Sequence, residues 1–84
     1  MDKLLTAYWF IMEGSLGRQY GITAYSIEDA KRLLKQKAFP KEELPRIIRI
    51  IESIEFKDLD ENHIVPNMGP MIVRGVWYPN LLNY

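Results

Sequence analysis

The sequence predicts an α+β domain: a small β-β-α-β unit with a three-stranded, mainly antiparallel sheet in the order 2-1-3. One helix lies on one face, and an irregular, proline-rich C-terminal arm follows. Three observations carry this. Positions 4–12 are apolar on both parities, positions 19–24 alternate, and a capped amphipathic stretch opens at Ser26.

In the first strand Leu4, Tyr8, Phe10 and Met12 fall on one side, and Leu5, Ala7, Trp9 and Ile11 on the other. A strand covered on both faces reads this way, which makes it the central one. "EGSLG" follows, with Gly14 and Gly17 suited to a hairpin turn. In "RQYGITAY", Tyr20, Ile22 and Ala24 alternate with Gln19, Gly21 and Thr23, the pattern of a one-sided strand. None of this resembles a phosphate-binding loop, because no Gly-Lys-Ser/Thr and no strand-to-helix context is present.

Ser26 is a good N-cap, and Glu28 and Asp29 sit in the first turn, where the helix dipole favours anions. Ile27, Ala30, Leu33 and Leu34 form the apolar stripe, and Phe39-Pro40 ends the helix. Residues 46–57, "RIIRIIESIEFK", fit a helical or an alternating period. Five isoleucines favour a strand, because β-branched side chains lose χ1 freedom in a helix.

A right-handed crossover through the helix then sets the third strand beside the first. The helix covers one sheet face. The apolar mass left for the other lies in the arm: Ile64, Val65, Met68, Met71, Ile72, Val73, Val76, Trp77 and Tyr78. Residues 1–84 thus read as one domain, with a core at 1–61 and an arm at 62–84 packed on it, including a short strand within 71–76.

Composition narrows the function. Eleven Lys/Arg balance eleven Asp/Glu, so the basic footprint expected of a nucleic-acid binder is missing. No cysteine is present, which excludes disulfides and thiolate metal sites and fits a reducing compartment. "LLTAYWFIM" is too short to span a bilayer, and "EGSLGRQY" offers no signal-type cleavage site. The expectation is a cytoplasmic protein with no membrane and no nucleic-acid partner.

His63 lies near Asp58, Asp60 and Glu61, a setting for a general base or half a metal site. One histidine without cysteine leaves the ligand set incomplete, so the expectation is no metal, no cofactor and no catalytic residue. His63 or Asn62 capping a turn accounts for the same pattern. Arg74 in "VRGVWYPN" is placed to stack on Trp77 or Tyr78, or to staple the arm to Asp60 or Glu61. His63, Asn67, Arg74, Trp77 and Tyr78 are the candidate partner-binding residues, since Trp, Tyr and Arg are enriched at interface hot spots. The Lys31, Arg32, Lys35 face reads as a solvated helix surface. Leu81, Leu82 and Tyr84 add apolar mass that association would hide.

"YWF", "GITAYSIEDAKRLL", "LDENHIVPNMGP" and "RGVWYPN" resemble the pattern of a small uncharacterised bacterial protein family, over nearly the whole chain. Proteins of this kind often lie beside toxin genes. The resemblance therefore implies an immunity or antitoxin role, and it carries over no site residues.

The function expected is a small non-enzymatic protein-binding module that neutralises a partner protein. A homo-oligomeric structural protein (a homodimer included), a phage anti-defence protein and a small ligand-binding or enzyme domain using His63 stay open. On the binding reading, Arg74→Ala or Trp77→Ala weakens a complex and leaves the isolated fold largely intact.

Overall fold

Strand parity sets the layers, and the computed structural model, which describes residues 4–14 and 18–79, shows how. β1 (Thr6–Met12) and β2 (Gln19–Ala24) form an antiparallel hairpin, with Thr6 opposite Ala24 and Ile11 opposite Gln19. α1 (Ile27–Ala38) follows, and then β3 (Ile47–Glu52) pairs antiparallel with β1. Of residues 46–57, expected as a strand, Ile47–Glu52 is extended, as the run of β-branched side chains implies, whereas Ser53 turns at φ 55° and Phe56 opens a 3₁₀ turn. β2 and β3 both run against β1, so the chain crosses over from one side of β1 to the other through α1.

The expectation of three strands is corrected. The sheet has four, in the order β3-β1-β2-β4, and β4 (Gly75–Tyr78) lies antiparallel on the outer side of β2. The order of the first three is as the sequence implies. The reason for the fourth is the edge: without it the backbone N–H and C=O groups of β2 would stand unpaired. The expected strand at 71–76 is displaced, because 71–74 form a turn. Gly75 enters β4 at φ 149°, a conformation that favours glycine. Gly17, Leu81, Leu82 and Tyr84 lie outside the described residues.

One face of the sheet packs on α1. Tyr8, Phe10, Met12, Tyr20, Ile22 and Ala24 meet Ala30, Leu33, Leu34 and Phe39 there. Ser26 Oγ accepts the Asp29 N–H and fixes the helix start, while Lys35 Nζ donates to the Phe39 carbonyl at its end. The opposite face carries Trp9, Leu59 and Trp77, with Ile51, Ile54, Ile64, Val65, Met68, Met71 and Tyr78 packed around them. Most of the arm's apolar residues thus cover the second face as expected. Three depart from that role: Val76 packs toward the helix, and Ile72 and Val73 point to solvent.

Candidate functional site

Two features stand out from this frame: a polar latch at one end of the sheet and an apolar surface beside it. The latch begins with Asp29 in the first turn of α1, a buried carboxylate. Its Oδ2 accepts the Tyr25 N–H at 3.1 Å and Arg74 Nε at 2.9 Å, and its Oδ1 accepts Arg74 Nη2 at 2.5 Å. This is the two-pronged geometry that suits a guanidinium to a carboxylate. The Arg74 guanidinium, with the Tyr25 N–H next, holds the Asp29 carboxyl down at about 2, against an ordinary 3.8. Arg74 also lies 5.7 Å from the centre of the Tyr25 ring. The staple expected of Arg74 exists, but its partner is Asp29 rather than Asp60 or Glu61, and the ring it covers is Tyr25 rather than Trp77 or Tyr78.

Trp77 and Tyr78 are placed inward. Trp77 is 2% exposed. Its indole N–H donates to Thr23 Oγ1 at 3.0 Å, and Thr23 Oγ1 donates to the Met71 carbonyl at 2.5 Å. The Trp77 ring comes close to Gly21, where an added Cβ would fall 2.4 Å from a ring carbon. Tyr78 stacks on Trp9 with ring centres 5.3 Å apart, and the Trp9 indole N–H donates to Gln19 Oε1. A side chain this buried stabilises the fold first. Trp77→Ala is accordingly expected to weaken the isolated protein itself, unlike the sequence expectation.

His63 and Asn67 sit together on an exposed loop. Asp60 Oδ1 accepts the N–H groups of Asn62 and His63, and its Oδ2 lies 3.0 Å from His63 Nδ1. Asn67 Nδ2 donates to the His63 carbonyl. The expectation that His63 or Asn62 caps the turn is corrected: the Asp60 carboxylate caps it by accepting their N–H groups. The Asn62 N–H first, then His63, lower the Asp60 pKa. Among the described residues no group of three or more His, Cys, Asp or Glu is arranged to hold a metal ion. No described helix is long and apolar enough to cross a membrane.

The five residues singled out by sequence therefore form three separate groups: Arg74 at the latch, buried Trp77 with half-buried Tyr78 on the second face, and His63 with Asn67 on the loop. Sequence reasoning missed the exposed apolar surface. Leu4 and Leu5 lead into β1, Tyr25 leaves β2, and Ile72 and Val73 lead into β4, so the topology sets them at one end of three adjacent strands. Phe56 follows β3 at that same end. Of the large apolar residues exposed among those described, Ile48 alone lies elsewhere. The signal that could have found them is position, because all but Phe56, which opens a 3₁₀ turn four residues past β3, flank a strand within a few residues of its pairing.

No protein-family model, no curated protein and no solved structure matches the chain.

Proposed function

We propose that the protein is a small non-enzymatic protein-binding module of the immunity or antitoxin type, neutralising a partner protein. The observation that carries it is the gathering of exposed Leu4, Leu5, Tyr25, Phe56, Ile72 and Val73 at one end of the sheet. Single exposed apolar residues are ordinary, whereas a concentrated set marks an interaction surface. The Arg74–Asp29 latch supports this reading. It fixes the segment bearing Ile72 and Val73 against α1, so the surface is formed before any partner arrives and little ordering entropy is lost on docking. An aromatic and an arginine, Tyr25 and Arg74, stand at its rim, and these types are favoured at binding hot spots.

The test uses the purified chain and the product of the neighbouring gene. A stoichiometric complex is expected by size-exclusion chromatography and calorimetry. Ile72→Asp or Leu5→Asp should abolish it, and Ile48→Asp at the far end should not. No complex with that product, or equal loss from Ile48→Asp, overturns the assignment. Self-association through the same surface is the second reading. Light scattering at micromolar concentration decides it, dimer mass lost in Ile72→Asp being its signature.

A further inference from the structure

The face away from α1 is not filled evenly. Between β1, β3 and the loop after β3 lies a cleft of about 440 Å³. Trp9, Ile51, Ile54 and Ile64 provide apolar lining, and Asp58 and Asp60 add carboxylates. We propose that this cleft binds a small organic cation, an ammonium or guanidinium carried on an apolar body. The inference stands apart from the protein-binding surface and does not depend on it.

Three observations carry it. The volume falls in the range typical of small-molecule sites, roughly 300–1,000 Å³. The lining is apolar enough to bury a ring or a short aliphatic chain, and water displaced from such walls favours the guest. The charge is one-sided: no Lys or Arg lines the cleft, while two carboxylates do. Both carboxylates are oriented in advance. Asp58 Oδ2 accepts the Glu55 N–H, which leaves Oδ1 without a partner among the described residues. Asp60 is held by Asn62 and His63, and those bonds keep it ionised. Hydrogen bonds from a cationic donor to such a carboxylate are about twice as strong as neutral ones.

The experiment is a titration of the ¹⁵N-labelled full chain followed by amide and indole resonances. The probes are 2-phenylethylammonium, its neutral isostere 2-phenylethanol, and 3-phenylpropionate. The ammonium should give saturable shifts at the Trp9 indole N–H and at the Leu59 and Ile64 amides. The alcohol should bind roughly ten-fold more weakly, as expected for loss of a charge-assisted bond, and the carboxylate should not bind. Asp58→Asn keeps an acceptor for the Glu55 N–H and should bring the ammonium's affinity close to the alcohol's. Equal affinity for ammonium and alcohol, unchanged affinity in the Asp58→Asn/Asp60→Asn pair, or shifts centred away from the cleft would each overturn the proposal.

Discussion

One sheet is closed on its two faces by different means. On the α1 face, a regular helix lays Ala30, Leu33 and Leu34 over Phe10, Met12 and Ile22, side chains without polar atoms to satisfy. On the other, Trp9 of β1 and Trp77 of β4 turn indole N–H groups inward, and the irregular stretch laid over them adds the Met71 carbonyl. Each then needs a partner, since a buried polar group left unpaired is costly. β2 supplies them from its Gln19, Gly21, Thr23 parity: Gln19 for Trp9, Thr23 for Trp77 and Met71, and bare space at Gly21 for the Trp77 ring. A helix satisfies its own backbone and asks the sheet only for apolar surface. A face that carries indoles under an irregular cover asks for polar partners at fixed positions, which makes it more specific and easier to break.

Trp77→Ala gives the largest test of this contrast. Loss of a buried tryptophan should cost about 3–5 kcal/mol, measured by urea unfolding. It also strands Thr23 without its indole donor. Leu34→Ala on the helix face should cost about 2–5 kcal/mol through lost apolar burial and the cavity it leaves, with no polar group stranded. Hydrogen exchange separates the two. Trp77→Ala should release the Gly69 amide, which bonds the Trp77 carbonyl, while α1 stays protected.

Gly21→Ala is next. Its methyl would fall between 2.4 and 2.6 Å from three atoms of the Trp77 ring, so overpacking of about 1–3 kcal/mol is expected. The decisive measurement is the double mutant. With Trp77 already replaced by Ala, the same substitution should become neutral or stabilising, because alanine suits a strand interior better than glycine. Additive losses would show that the two residues do not share one site.

Much of this was legible in the sequence. The two-parity apolar run at 4–12 announced a strand covered on both faces, and Ser26 announced the helix start. The run of isoleucines announced β3. The fourth strand was legible only as a short strand within 71–76; its bounds and its place in the sheet were not, because Gly75–Tyr78 is four residues long and takes its extended form from pairing with β2. The polar parity of β2 looked solvent-facing for the same reason: alternation reports polarity, and polarity on a buried face can serve buried donors. Arg74 was matched to acids nearby in the chain, whereas its carboxylate lies 45 residues away. Local pattern specifies elements well and specifies long-range ion pairs poorly. The exposed apolar residues sat in flanking positions that no period marks.

The latch joins the two covers, since Asp29 belongs to α1 and Arg74 to the arm. Its acid response follows from the depressed Asp29 pKa. A carboxylate held down by native contacts stabilises the fold at every pH above its ordinary 3.8, and that contribution disappears as pH falls through about 2. Stability should therefore decline between about pH 5 and pH 2, and Asp29→Asn should flatten that part of the profile. An unchanged slope would remove Asp29 from the latch.

Ser26→Ala has the smallest expected effect and sharpens the contrast furthest. Ser26 Oγ accepts the Asp29 N–H, and losing such a cap costs about 1 kcal/mol. The substitution touches the backbone of Asp29 and leaves its carboxylate free to hold Arg74. If the helix cover is a self-sufficient unit, only the first-turn amides of α1 should exchange faster, and Gly69 should keep its protection. If Gly69 loosens as well, the helix start is what positions the latch. The two covers would then behave as one cooperative unit linked through the first turn of α1.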